Sequence, residues 1–555
     1  MKKILKVLKI LFVCVLGVLG VAFLGVFCLY YSADMRQPEV GASDLPVYEL
    51  QVSDSLRVYG PHQLRLSKSG LWELYVEGDA LERGVASGKL LEDLLYYQEK
   101  VFVDQIREII PSDSYLKFLR FFLILFNRNL GEYVPEEFRR EIYGISLSCT
   151  HEYDMIGTPY ERQLNYHAAH DIGHAMQDYM LVGCSSFAVW DRASADADLL
   201  IGRNFDFYMG DDFARHKMVS FYRPEEGYAF AAVGWPGMTG VLSGMNIAGL
   251  TVTINAAKST LPTSAAMPIS LLAREILQYA STIDEAYTIA LKRKIFVAES
   301  LLIGSAKEGK AAVIEKSPDQ TGLYLPDSDH IICTNHYQSE TFRADERNLE
   351  NIATSDSPYR YARLEELLQE KGELTPGMAV DMLRDRFGLQ GKEIGLANEK
   401  AINQFIAHHS VVFQPGKLRM WVSTTPWQSG AYVGYDLQEI FARAENATAS
   451  SIDSLTIEAD PFLASADYGR LLTYRKTLKE IRKYIKAGEK ADESLIETLL
   501  QANPEMYHAW EVAGDYYWAL GQKEEAVAHW QQALTREIPK ENERVSIIKR
   551  IEKTK

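Results

Sequence analysis

Cysteine is scarce in this chain, five in 555 residues. Two of the five, Cys14 and Cys28, sit in one apolar N-terminal run, so Cys149, Cys184 and Cys333 cannot supply a disulfide framework. Net positive charge is missing as well. A formal charge of −16 excludes the footprint of a nucleic-acid binder, and it excludes adhesion to an anionic lipid surface beyond the lysine-rich start. Long apolar runs are missing after residue 31. Phe118 to Phe126, interrupted by Arg120, is too short to cross a bilayer and reads as a core helix.

The exception is the N-terminus, where Met1-Lys-Lys-Ile-Leu-Lys-Val-Leu-Lys precedes the uncharged run Ile10 to Tyr31. At about 1.5 Å per residue that run is long enough for a hydrocarbon core of roughly 30 Å. No small-x-small cleavage site follows, so the sequence predicts an uncleaved single-pass anchor rather than a signal peptide. With the lysines cytoplasmic, the rest of the chain is expected outside, in a bacterial periplasm.

The most informative stretch is Leu181 to Phe207, LVGCSSFAVWDRASADADLLIGRNFDF. Ser186 to Trp190 and Leu199 to Gly202 read as strands around a polar loop, Asp191 to Asp198. Such a hairpin returns Arg203 and Asp206 towards Cys184. A cut at Gly183–Cys184 would give a thiol nucleophile carrying its own base, since a thiol titrates near 8.5 and a freed α-amine at about 7.7 to 8.0. Asp206 would hold the amine, and Arg203 would lower the thiol pKa or bind a polar substrate group.

Cys, Arg and Asp in this order and at this spacing resemble the N-terminal-nucleophile hydrolases of the choloylglycine hydrolase and acyl-coenzyme A:6-aminopenicillanate acyltransferase group. Further segments extend the resemblance over about Leu71 to Leu437: Trp72-Glu-Leu-Tyr-Val-Glu-Gly with Glu82-Arg-Gly-Val-Ala-Ser-Gly-Lys, Gly244 to Asn255, Thr334-Asn-His336, Ser357-Pro-Tyr-Arg-Tyr-Ala-Arg363 and three strand-like runs beginning at Ala407, Lys417 and Ala431. It implies an α+β fold, a four-layer αββα sandwich. It also implies that Asn255 donates to the oxyanion of a tetrahedral intermediate, that Asn335 faces the nucleophile and that Arg360 is a site-facing arginine. Asn246 reads equally as a turn residue and Arg363 as part of a solvated face; Cys333, on the same strand face as Asn335, reads as a residue near the site or as a small core residue.

His167, His170 and His174 with Asp171 share a helical face just before Cys184, a spacing compatible with a metal. Nothing in the resemblance calls for one, so helix packing or help with processing is the expected role, and neither metal nor cofactor is expected. After about Glu458, Trp510, Ala513-Gly514, Tyr517, Gly521, Ala526, Trp530 and Ala533 follow the tetratricopeptide spacing. One repeat cannot bury its faces alone, so helices from Tyr468 to Leu500 and Lys540 to Ile551 should flank it, packing on the catalytic domain or offering a protein-binding face.

The expected division is an anchor over 1–33, a linker and first strand over 34–70, a propeptide-like part over 71–183, a catalytic αββα domain over 184–458 and a helical region over 459–555. The expected activity is self-processing followed by hydrolysis of a linear amide, a fatty-acyl or other lipophilic amide near the membrane, through an acyl-thioester on Cys184. Acyl transfer to an amine is the alternative. A non-enzymatic membrane-anchored scaffold is the competing class, and a Cys–His protease using His408 or His409 the third.

Overall fold

The computed structural model describes residues 35–109, 112, 120–121, 124–175, 181–258, 265–442 and 451–554, together with 17, 20–21 and 24–29 near the N-terminus. Among them are strands β1 (Leu50–Val52), β2 (Leu56–Tyr59), β3 (His62–Leu66), β4 (Trp72–Gly78), β5 (Leu181–Val182), β6 (Ser185–Asp191), β7 (Ala197–Tyr208), β8 (Met218–Pro224), β9 (Phe230–Gly234), β10 (Ser243–Asn246), β11 (Leu250–Ala256), β12 (Glu299–Ser305), β13 (Lys310–Lys316), β14 (Thr321–Tyr324), β15 (His330–Cys333), β16 (Ala407–Gln414), β17 (Arg419–Ser423), β18 (Tyr432–Asp436) and β19 (Ser451–Ile457). They build an 11-stranded sheet, β1-β2-β3-β4-β8-β9-β10-β11-β12-β13-β14. An eight-stranded sheet runs β15-β6-β7-β16-β17-β18-β19, with β5 added to β7.

Both faces of these strands are apolar because both are covered. Alternate residues of β6 and β7, such as Ala188, Trp190, Leu199 and Ile201, pack against Val219, Phe221, Ala231 and Val313 of the larger sheet. Their neighbours Phe187, Val189 and Leu200 turn the other way, onto the helices Ser357–Lys371 and Pro376–Leu383. The outer face of the larger sheet is covered by the helices Ala80–Ile109, Glu136–Ser146, Ile269–Tyr279 and Ile283–Lys292. Side-chain alternation along a strand thus produces four layers, helix, sheet, sheet, helix.

The residues before Cys184 are integral to this body. β4 pairs in parallel with β8, from Trp72 opposite Met218 to Gly78 opposite Pro224. Glu141, buried, bridges Arg83 at 2.7 Å and Arg274 at 3.3 Å, one arginine on each side of the Gly183–Cys184 bond. Opposed arginines hold the Glu141 carboxyl low despite its burial.

The helices Ala466–Ala487, Glu493–Ala502, Tyr507–Ala519, Lys523–Leu534 and Glu541–Glu552 have a core of their own. Trp530 is buried there and donates to Asp515 at 3.0 Å. This packing does not by itself make them a tetratricopeptide repeat.

The expected membrane anchor is not supported. Among the described residues no helix is long and apolar enough to cross a membrane, and much of Ile10 to Tyr31 lies outside them. Hydrophobic length in the sequence suggested a span that no described helix realises. Two smaller expectations change as well. Ser357, a plausible cap by residue type with Pro358 after it, is instead the first helical residue, and Asp356 occupies the N-cap position. Arg363 is not on a solvated face, because it is buried and binds Asp385 through two bonds of 2.9 and 3.0 Å.

Candidate active site

Cys184 lies at the entry to β6 and is fully buried. The β6–β7 register sets Ser186 opposite Arg203 and Ser185 opposite Asn204, which returns Arg203 to Cys184, its Nη2 3.7 Å from Cys184 Sγ. Farther along, the Gly183 N–H donates to the Asp206 carbonyl at 3.1 Å. Asp206 therefore sits beside the Gly183–Cys184 bond.

Electrostatics separate these groups. Burial pushes the Cys184 thiol up to about 11; Arg203 opposes the shift, and Asp206 and Glu299 reinforce it. Burial also pushes the Asp206 carboxyl up to about 8, against the pull of Arg360 and Arg203. Neither carboxyl oxygen of Asp206 has a hydrogen-bond partner among the described residues. Arg203 is committed to the protein: it donates to Leu242 O at 2.9 Å, bonds Ser243 Oγ and Ile254 O, and lies 4.4 Å over the Phe205 ring. Its contacts suit tuning of the thiol better than capture of a substrate anion.

Arg360 links most of the remaining residues. Its Nη1 donates to Cys184 O at 2.6 Å and Ser185 Oγ at 2.9 Å, its Nη2 to Asn335 Oδ1 at 2.7 Å, and its Nε to Asp356 at 2.9 Å. Asn335, past the end of β15, spends its amide on Ala256 O at 2.8 Å. Asn255, at the end of β11, donates to Cys333 O at 2.9 Å and Thr334 O at 3.3 Å and accepts from Ser186 at 2.8 Å. It is in the wall of the site, but with its amide turned to backbone carbonyls. Gly183 O accepts from Gln404 Nε2 at 3.1 Å.

Among the described residues no histidine pairs with Cys184. His409 bonds Ser243 at 2.9 Å, His408 at 3.0 Å and Arg203 at 3.5 Å, and burial holds its ring well below the usual pKa. His167 is occupied at both nitrogens, Nδ1 with Gln163 O at 2.7 Å and Nε2 accepting from the Thr239 N–H at 2.9 Å, so it has no lone pair left for a metal. The side chains of His170, Asp171 and His174 lie outside the described residues. Cys333 belongs to the core between the sheets, as its small apolar character suggests. Asn246 is buried and closes its turn, accepting from Ala248 and Leu250 at 3.0 and 2.9 Å.

Sequence reading missed Ser185, Ser186, Ser243, Asp356 and Gln404. Asp356 had a signal, four residues before Arg360. Gln404 had none, because it reaches the site from a loop remote in sequence. Beside the site, Phe207, Phe213, Trp235 and Met238 line a cavity of ≈ 30 Å³ together with the polar Gln98, Glu99, Gln163 and His167.

Residues 192–425 match the family described as acyl-coenzyme A:6-aminopenicillanic acid acyl-transferase. That span holds Arg203, Asp206, Asn255, Asn335 and Arg360 but begins after Cys184. The chain is similar to an uncharacterized protein of Archaeoglobus fulgidus, 28% identical over 275 residues, 47% of this chain and 46% of that protein. It is 25% identical over 270 residues to protein dcd1B of Dictyostelium discoideum, 45% of this chain and 51% of that one. The chain thus spans about half the length of these curated relatives. Among solved structures, an N-acylethanolamine-hydrolyzing acid amidase ortholog of Caenorhabditis elegans aligns at 16% identity and TM-score 0.32, covering 42% of this chain and 93% of that one. A conjugated bile acid hydrolase from Clostridium perfringens aligns at 13% identity and TM-score 0.32, covering 49% and 96%.

Proposed function

We propose that the protein is a cysteine amidohydrolase that cuts its own Gly183–Cys184 bond and then uses the freed Cys184 as an N-terminal nucleophile. The observation that carries this reading is the Asp206 carboxyl, buried beside that bond with no hydrogen-bond partner among the described residues. Ionising a buried carboxyl in that position is costly until a further cation joins it. Cutting the bond generates one, the α-ammonium of Cys184. Nearby Arg203 favours the thiolate, and the free amine supplies the base that a thiol at about 11 lacks in the uncut chain.

In the cut enzyme, the Cys184 amine takes the thiol proton and Sγ attacks the carbonyl carbon of a linear amide. The amine then returns the proton to the leaving nitrogen, and water hydrolyses the acyl-thioester. Asn255 becomes an oxyanion donor once its amide leaves Cys333 O and Thr334 O. Arg360 holds Cys184, Ser185 and Asn335 in register. The apolar wall formed by Phe207, Phe213 and Trp235 supports a lipophilic acyl group. Acyl transfer to an amine is the second reading, favoured by the family match over 192–425.

The test is product analysis on a panel of acyl amides, with and without an added amine. Free acid in both arms is expected for hydrolysis, and a new amide in the second arm for transfer. No acyl release from any member of a broad panel would contradict both readings.

A further inference from the structure

The Gly183–Cys184 bond has a feature that substrate turnover does not need. Gln404 is 2% exposed, and its Nε2 donates to Gly183 O at 3.1 Å, the carbonyl a self-cleaving chain must attack. A Cβ built on Gly183 would lie 2.5 Å from Gln404 Nε2 and 2.9 Å from its Oε1. Gly183 is thus the residue that lets the amide of Gln404 reach this carbonyl.

The loop carrying Gln404 is held in place. Phe405 has φ 55°, a left-handed conformation that a bulky residue keeps only when its surroundings impose it. Its N–H donates to Asn403 Oδ1 at 3.0 Å, its ring meets Phe462 at 5.2 Å between centroids, and its carbonyl accepts from Arg475 at 2.5 Å. Upstream, Asn503 bonds both the N–H and the carbonyl of Leu396, at 3.0 and 2.8 Å. Glu537 bridges Lys392 and Lys400. Arg475, Asn503 and Glu537 all belong to the C-terminal helical region or its connections.

From this geometry we infer that Gln404 is the oxyanion donor of self-cleavage at Gly183–Cys184, and that the C-terminal helices brace the loop presenting it. The inference rests on the self-processing reading above. Cys184 Sγ attacks the Gly183 carbonyl carbon; a C–S bond forms and negative charge develops on Gly183 O, where Gln404 donates. The C–N bond then breaks, the thiol proton passes to the departing Cys184 nitrogen, and water hydrolyses the thioester to the Gly183 carboxylate and a free thiol. Asn255 and Gln404 divide the work, one for the substrate and one for the chain's own bond.

The experiment is cell-free synthesis of the full chain with mass spectrometry at timed intervals, for the wild type, Cys184→Ala, Gln404→Ala, Gln404→Glu and Arg475→Met. Loss of one oxyanion donor should slow the cut of Gln404→Ala on the order of 10²-fold. Gln404→Glu, nearly isosteric, should also be slow at pH 8. Its rate relative to wild type should rise as pH falls and its carboxyl becomes a donor, a pH dependence that a merely structural role would not produce. Arg475→Met should slow the cut without that pH-dependent ratio. Unslowed cutting by both Gln404 variants, beside a wild type that cuts and a Cys184→Ala that stays whole, would overturn this inference alone. A wild type that stays whole would overturn the self-processing reading together with it.

Discussion

Arg360→Lys tests the idea that one guanidinium holds the site together. Arg360 is 1% exposed and makes four bonds, to Asp356 at 2.9 Å, Cys184 O at 2.6 Å, Ser185 Oγ at 2.9 Å and Asn335 Oδ1 at 2.7 Å. An ammonium is a point donor and cannot span a fork, so lysine keeps the pair with Asp356 or the bonds around Cys184 but not both. Losing two charge-assisted bonds at about 1.5 to 3 kcal/mol each gives a cost of roughly 3 to 6 kcal/mol. That is a large share of the 5 to 15 kcal/mol typical of whole domains. Denaturant unfolding of the Cys184→Ala chain with and without Arg360→Lys measures it free of processing. In the active background, release of Asn335 and Cys184 from their common anchor should lower kcat on the order of 10²-fold, as an ångström of misplacement does elsewhere. A variant within about 0.5 kcal/mol of its parent and with unchanged kcat would refute the bridging role.

Asp206→Asn gives a pH test. Because burial raises the folded-state pKa to about 8 from an ordinary 3.8, the neutral carboxyl contributes stability that is fully present below the unfolded pKa and lost as pH rises through about 8. In the uncut Cys184→Ala chain, Asp206→Asn should therefore flatten the fall in melting temperature between about pH 4 and pH 8, and an unchanged slope would count against the buried carboxyl. Asn255→Ala should reduce kcat for an acyl amide on the order of 10²- to 10³-fold; kinetics with only KM altered would remove it from the oxyanion role. Glu141→Gln leaves Arg83 and Arg274 without their shared carboxylate and should cost about 3 to 5 kcal/mol, loosening the two pieces of the cut chain, which gel filtration under mild denaturant would reveal. With both His167 nitrogens occupied, a chelator should leave processing and turnover unchanged; loss of either would reopen the metal reading.

The sandwich and the neighbourhood of Cys184 were legible because the signals are local. A thiol, a polar loop and GRNFD within one hairpin leave few ways to arrange Cys184, Arg203 and Asp206, and strand alternation assigns each face. Asn335 and Arg360 came from resemblance alone, yet the structure shows them joined by one 2.7 Å bond. The resemblance did not show that the amide of Asn255 points at Cys333 O and Thr334 O, because a hydrogen-bond orientation depends on strands far apart in the chain. Gln404 was invisible for the same reason. Ile402-Asn-Gln-Phe405 carries no motif, and its value comes from a loop conformation fixed by Arg475 and Phe462. The anchor reading failed differently: apolar length measures only the ability to cross a bilayer, and no described helix has that length.

Self-processing, as proposed, makes Cys184 an N-terminus. Intact mass of the purified full-length protein beside Cys184→Ala tests it directly. Two pieces are expected, about one third and two thirds of the 62.7 kDa chain, with the second beginning at Cys184, and a Cys184→Ala protein that stays whole. A wild type that remains one chain and still hydrolyses amides would contradict it.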